Sequence, residues 1–294
     1  MSNPTFYIVD VFAEKKYAGN QLAVVRDAED LSDTEMQSIA AEINYSETTF
    51  ILSEEERNGG YDVRIFTPKE EVPFAGHPTL GTAYIVRQEI VGHPVGRVTL
   101  NLRAGRIPVS FGDVLWMEQL PPTFGETLAP ARVSRVLSLG EADLDERFPI
   151  REVSTGLPCI VAPLKSLEAL KRCRVDRDSY YDLISTAQAK AILVFSPEQY
   201  DKADLSARFF ADYYGVPEDP ATGSANGCLA AYLVEHRYVG EDRIEVRAEQ
   251  GYEIGRPSLL YLRAEKRESE IKRKGEIKVS VGGKVQMVAK GELL

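Results

Sequence analysis

Val216–His236 reads VPEDPATGSANGCLAAYLVEH. An acidic, proline-bearing turn runs into Gly223 and Ser224 and then into an apolar stretch long enough for roughly three to four helical turns. Thr222 or Ser224 can cap the first turn, and Ala225, Leu229, Ala230 and Leu233 recur at helical spacing. Small residues at its start let backbone approach backbone or a ligand closely. A helix entered in this way leaves free N–H groups pointing at whatever anion lies before it.

The same pattern occurs earlier, in Pro73–Gln88, PFAGHPTLGTAYIVRQ. Aligning Gly76 with Gly223 sets an offset of 147 residues, which places His77 on Ser224, Ala83 on Ala230 and Val86 on Leu233. Upstream, Arg64 and Phe66 match Arg208 and Phe210 at an offset of 144, so the intervening loop differs by three residues. Downstream, Val98, Ala104, Gly105 and Arg106 lie opposite Ile244, Gln250, Gly251 and Tyr252 at an offset of 146. Three anchors in order, at nearly half of 294 residues, describe a duplicated chain of two similar halves. The proline pair Pro121-Pro122 and the polar GETLAP that follows it mark the expected boundary, between domains at 1–121 and 125–294. Whether the final strands return to the first domain is left open, since a duplicated chain can exchange edges.

Composition narrows the function classes. The formal charge of −10, from 35 basic and 45 acidic residues, argues against a nucleic-acid backbone or an anionic membrane as partner. The short basic clusters Lys171–Arg174 and Lys272–Lys274 read as solvated faces without interleaved aromatics. Three scattered cysteines, Cys159, Cys173 and Cys228, form no CxxC pair and suggest reduced thiols. Asp10 and Glu14 interrupt the N-terminal region before any long apolar run, unlike a signal peptide. No run approaches the roughly 18 apolar residues of a membrane span. A cytoplasmic protein is expected.

The remaining pattern is mostly short strands. Leu31–Glu35 carries a capping box, with Ser32 as N-cap and Glu35 three residues on, and Met36, Ile39, Ala40 and Ile43 continue it as an amphipathic helix to about Asn44. Tyr61–Phe66, Arg97–Leu102, Cys159–Ala162, Ala191–Phe195 and Ile244–Ala248 read as strands. Asp204–Tyr214 permits a helix by spacing, but its match to Asp62–Phe66 predicts a strand through Ala207–Ala211. Arg263–Lys274 reads as a charged surface excursion. About fifteen short strands with one buried helix in each half predict an α+β fold, a curled sheet wrapped around each helix. Two ordinary α+β domains satisfy the same pattern.

Several chemistries have no support. There is no dinucleotide GxGxxG, no GxxxxGK[ST] phosphate loop, and no histidine or cysteine spacing of a zinc site. Ser224 sits in ATGSANG, outside the GxSxG elbow of a hydrolase, and a cap is its plain structural reading. His93 and His236 need no function, the latter standing near a helix C-terminus where a cation is favourable. What remains is an acid/base set of Glu47, His77 and the acidic pair Glu218-Asp219, with helix N-termini as carboxylate holders. A partly buried carboxylate beside a histidine can move a proton between carbons.

Tyr7–Val25 (YIVDVFAEKKYAGNQLAVV), Asn44–Phe50 (NYSETTF), Ala75–Leu80 (AGHPTL), Glu218–Ala225 (EDPATGSA) and Gly251–Ser258 (GYEIGRPS) together resemble the phenazine-biosynthesis isomerase family, the PhzF-like proteins. The resemblance implies a diaminopimelate epimerase-like fold of two duplicated domains, each a β-barrel around a central helix, with the site in the cleft between them. It implies Glu47 as general acid/base, His77 and Asp219 as further catalytic residues, and Ser224 as a substrate contact; Gly76 and Gly223, at the two glycine-rich helix starts, are read as substrate-binding from the free N–H groups there. The family's phenazine enzyme isomerises trans-2,3-dihydro-3-hydroxyanthranilate without metal or organic cofactor, and a homodimer acting on a small carboxylate is expected by the same resemblance. The epimerase relatives instead use a pair of cysteines before the two glycine loops; here Ala75 and the Asp219-Pro220-Ala221 run stand there, so a two-thiol mechanism does not follow. A small-molecule binding or regulatory protein on the same scaffold is the alternative.

Overall fold

A computed structural model describes residues 3–267 and 276–294. Among these residues the chain forms eighteen strands and six α-helices, an α+β fold. It divides into two units, Met1–Met117 with Gly282–Leu294, and Glu118–Val281.

The first unit holds β1 (Thr5–Val11), β2 (Asn20–Val25), α1 (Asp33–Ile43), β3 (Thr48–Ile51), β4 (Tyr61–Phe66), β5 (Glu71–Val72), α2 (Gly76–Ile85), β6 (Arg97–Leu102), β7 (Gly105–Phe111) and β8, which starts at Leu115 and ends at Glu118. Helix α1 begins as its capping box predicts. The Ser32 hydroxyl accepts the Glu35 N–H while the Glu35 carboxylate accepts the Ser32 N–H at 2.8 Å. The helix stops where Asn44 turns left-handed, and it buries Met36 and Ala40 against Phe50 and Phe66. Strand β2 runs parallel to β3, and β4 parallel to β6. Parallel neighbours need a crossover, and α1 and α2 supply them. All of α2 except Tyr84 is buried, and it packs against β1, β2, β3, β6 and β7. Gly81 makes this approach possible: a Cβ there would lie 2.5 Å from Leu22 Cδ2 and 2.9 Å from a Val11 methyl.

The second unit holds β9 (Thr123–Thr127), α3 (Pro130–Val136), β10 (Arg151–Ser154), β11 (Pro158–Pro163), α4 (Leu167–Arg172), α5 (Arg177–Thr186), β12 (Ala191–Ser196), β13 (Leu205–Ala211), β14 (Val216–Asp219), α6 (Gly223–Glu235), β15 (Arg243–Gln250) and β16 (Ser258–Arg267). Helix α6 is buried apart from Ser224 and Glu235 and packs on β10, β11, β15 and β16. A helix buried on all sides needs no amphipathic stripe, and the Ala- and Leu-rich sequence of α6 has none. Two remaining strands, β17 (Glu276–Gly283) and β18 (Val285–Glu292), close the chain.

Strand pairing repeats from one unit to the other. In the first unit β18 is antiparallel to β1, β1 to β2, β3 to β4, β4 to β5 and β6 to β7, with the two parallel pairs between them. In the second, β9 is antiparallel to β10, β10 to β11, β12 to β13, β13 to β14 and β15 to β16. The parallel pairs β11–β12 and β13–β15 fall in the same places. The strand that precedes β10 in this scheme is β9, whereas its counterpart beside β1 is the last strand of the chain, paired from Thr5↔Glu292 to Val11↔Val285. Residues from Gly282 onward therefore belong with the first unit.

Three sequence expectations change. Thr123–Thr127, read as part of a polar boundary, is strand β9, an exposed edge whose side chains show no buried face. The division between units falls earlier, after Met117. Val216–Asp219, read as a turn, is a short strand on β13, and Glu71–Val72 is its counterpart on β4. The predicted strand at Ala207–Ala211 is present within β13, and β16 extends to Arg267; the rest of the predicted excursion, with Lys272–Lys274, lies outside the described residues. Among the described residues no helix is long and apolar enough to cross a membrane.

Candidate active site

Glu47 and His77 meet in the first unit. Glu47 immediately precedes β3, and the parallel register pairs Thr48 with Ala23 of β2. Gln21, near the start of β2, therefore lies at the same end of the sheet as Glu47. Helix α2 begins at Gly76, and His77 in its first turn reaches both: its Nε2 is 3.2 Å from the Gln21 carbonyl oxygen and 3.6 Å from Glu47 Oε2. A bond of 2.7 Å between the Thr49 and Thr82 hydroxyls ties β3 to α2 close by, which holds the two elements in this register.

Burial decides the charge state of this pair. The His77 side chain is 7% exposed and that of Glu47 19%. Desolvation pushes the imidazole down to about 3, opposed only by the hydrogen bond to Gln21. The contact is thus not an ion pair near neutral pH: the ring is neutral. A carbonyl can only accept, so Nε2 carries the ring hydrogen and donates it, with Glu47 Oε2 beside the same N–H.

Asp219, Gly223 and Ser224 come together in the second unit. Asp219 ends β14, where it pairs with Phe209 of β13, and α6 starts four residues later. Asp219 is 8% exposed. Thr222 stands at the N-cap of α6, yet its hydroxyl caps nothing; it donates to Asp219 Oδ2. The expectation that Thr222 or Ser224 caps the first turn is corrected by that bond, and Ser224 lies within the first turn instead. The loop Ser154-Thr155-Gly156, between β10 and β11, approaches the same helix start: Thr155 Oγ1 donates to the Ser224 carbonyl at 3.2 Å.

Other candidates drop out. Glu218 is held by Arg208 through two hydrogen bonds of 2.8 Å and is a structural carboxylate, not an acid/base group. His236 does end α6, but burial and the nearby Arg151 push its imidazole down, so it supplies no helix-end cation. All three cysteines are buried thiols. Cys159 and Cys228 share a hydrogen bond that, with burial, pushes the Cys159 thiol well up, while burial raises Cys173 to about 12. Neither Cys159 nor Cys173 is a ready thiolate, while the same bond from Cys159, with Thr155 beside it, pulls the buried Cys228 thiol down. Among the described residues no three His, Cys, Asp or Glu side chains are grouped to hold a metal. Motif reading points to no role for Gln21 and gives Thr222 only as a cap.

Comparison with known proteins identifies the family. The family model of phenazine biosynthesis-like proteins matches residues 9–291. The trans-2,3-dihydro-3-hydroxyanthranilate isomerase of Pseudomonas aeruginosa is 36% identical over 266 residues, 88% of this chain and 90% of that protein. An uncharacterized isomerase of Clostridium acetobutylicum is 33% identical over 302 residues, 98% of this chain and 97% of its own length. Among solved structures, a Bacillus anthracis phenazine biosynthesis protein of the PhzF family superposes with a TM-score of 0.89 at 28% identity, each chain covered in full. With both the sequence match and the superposition running end to end, the chain belongs to the PhzF-like phenazine biosynthesis family and has its diaminopimelate epimerase-like fold.

Proposed function

We propose that this isomerase moves a proton within a small cyclic carboxylic acid, of the kind that the P. aeruginosa relative is named for, with Glu47 as the proton carrier. The observation that carries the reading is the contact between Glu47 and a buried, neutral His77. A neutral imidazole is a poor proton store near neutral pH but a good oriented donor, which leaves Glu47 as the member of the pair to carry the proton. Its carboxylate takes a proton from one substrate carbon, the C–H electron pair shifts the double bond, and the same proton is delivered to a second carbon. Atoms and charge balance without another reactant. Asp219, held by Thr222, and the backbone N–H groups at Gly76-His77 and Gly223-Ser224 hold the substrate's polar groups. The two units are read as copies of one barrel-around-helix module, the first keeping the acid/base pair and the second the polar loop.

The test is turnover of trans-2,3-dihydro-3-hydroxyanthranilate in deuterium oxide. Product formation with at most one carbon-bound deuterium per turnover is expected. Tight binding of this and related acids without turnover would instead favour a ligand-binding protein on the same scaffold.

A further inference from the structure

Gln250, the last residue of β15, is fully buried, and its amide reaches three groups of the loop that carries Asp219 and one side chain of α6. Its Nε2 donates to the Asp219 carbonyl at 2.7 Å and to Thr222 Oγ1 at 3.3 Å. Its Oε1 accepts from Asn226 Nδ2 at 2.8 Å and from the Thr222 N–H at 3.4 Å. Asn226 in turn donates to the Thr222 carbonyl at 3.0 Å. Because the Thr222 hydroxyl receives a hydrogen from Gln250, its own hydrogen is directed onward to Asp219 Oδ2. One side chain thus sets the backbone of the loop and the direction of the hydroxyl that holds the carboxylate.

The internal repeat shows that the fold does not demand this. Ala104 occupies the position equivalent to Gln250 and Ala75 that of Thr222, and the first unit closes the same junction with one backbone bond, Ala104 N–H to the Pro73 carbonyl at 3.1 Å. Thr79, equivalent to Asn226, still bonds back to the Ala75 carbonyl at 2.7 Å. The back-bond is shared architecture; the amide network is peculiar to the half that carries Asp219 and Ser224. Its approach is tight: at Gly251, with φ of +80°, a Cβ would lie 2.6 Å from the Pro220 carbonyl oxygen.

We propose that Gln250 is a positioning residue for substrate binding, acting through Thr222 on Asp219 and on the start of α6. This rests on the functional reading above. A loop fixed before the substrate arrives loses little freedom on binding, so its loosening weakens affinity more than the chemical step.

The experiment compares Gln250→Leu and Gln250→Glu with the unaltered enzyme in turnover of trans-2,3-dihydro-3-hydroxyanthranilate and in amide hydrogen exchange. Gln250→Leu is expected to raise KM about tenfold or more, with kcat within about threefold, and to speed exchange at the Thr222 N–H while the matching Ala75–Gly76 segment is unchanged. Should Gln250→Leu fail to fold, Gln250→Glu decides. Its carboxylate faces the Asp219 carbonyl without a hydrogen, so KM is raised at neutral pH and recovers as the pH falls and the acid regains a donor. A KM within twofold of the unaltered enzyme in a folded variant, or a loss confined to kcat, overturns the proposal. If the unaltered enzyme does not turn over this acid, the substrate reading fails by itself. Hydrogen exchange then still decides the role of Gln250, with unchanged exchange at Thr222 refuting it and faster exchange supporting it.

Discussion

Arg208 grips Glu218 through two parallel hydrogen bonds of 2.8 Å, and the pair reproduces Arg64 on Glu71, at 2.9 and 2.7 Å, in the other half of the chain. Each arginine also lies 5.0 Å from the ring centre of the phenylalanine two residues on, Phe210 and Phe66. The arginines are separated by an offset of 144 and the glutamates by 147, so the three extra residues fall in the β13–β14 hairpin, which contains the Asp212–Tyr214 turn. In both halves the bridge clamps the short strand that leads into the buried helix.

The two bridges differ in burial, and their loss should differ accordingly. Arg208 is 4% exposed, and its Nη1 also donates to the Leu170 and Cys173 carbonyls that end α4. Arg64 is 22% exposed, with the exposed Asp33 as second partner. Breaking a buried pair from one side costs about 3–5 kcal/mol. Arg208→Ala should approach that cost in urea unfolding, and Arg64→Ala should fall clearly below it. Equal losses would show that burial does not separate the two bridges.

Glu47→Gln keeps the shape of the side chain and removes its titrating oxygen. Turnover should fall by about 10²–10⁴-fold, the usual contribution of a general acid/base. The melting transition should stay in place, because the His77 N–H keeps its bond to the Gln21 carbonyl. Near-normal turnover would move the proton-carrying role to Asp219.

His77 makes a pH prediction whose sign follows from its depressed value. The folded protein holds the imidazole near 3, against an ordinary value of 6.5. Above 6.5 neither state takes up the proton and stability is complete. As pH falls from 6.5 toward 3 the unfolded chain binds a proton that the folded one refuses, at a cost of about 1.4 kcal/mol per pH unit. His77→Gln should therefore move acid unfolding, followed by circular dichroism, to lower pH. It should also weaken both substrate binding and rate without changing the shape of the pH–rate profile above pH 5, since the native ring does not titrate there.

Thr222→Val tests whether the N-cap position serves the helix or the carboxylate. The hydroxyl makes no capping bond and donates to Asp219. A hydrogen bond to a charged group contributes about 1.5–3 kcal/mol, so KM should rise about tenfold or more while the melting temperature changes little. A large fall in stability with unchanged KM would assign Thr222 to the helix alone.

Local chemistry was legible in the sequence. Ser32 and Glu35 announced α1, the matched glycines announced α2 and α6, and the offsets tied the halves together, because caps, periodicity and repeats act within a few residues of chain. Residue type and position left Glu47 and His77 in one set with Glu218 and Asp219, and only the family motif singled out Glu47 as the acid/base group. The short strands β5 and β14 escaped, since two to four residues carry no periodicity, and β9 escaped because an exposed edge needs none.

Tertiary structure decided what depends on distant partners. His77 is bonded to a carbonyl 56 residues away, and only that enclosure makes its ring neutral. Glu218 and Asp219 are neighbours in sequence, yet the alternation of β14 sends one to Arg208 and the other to Thr222. The last strand took its place beside β1 for a similar reason: an unpaired strand edge must satisfy its backbone groups, and the pairing partner need not be near in the chain. Charge state, strand partner and carboxylate role are set by what surrounds a residue in space, which residue type and spacing alone do not encode.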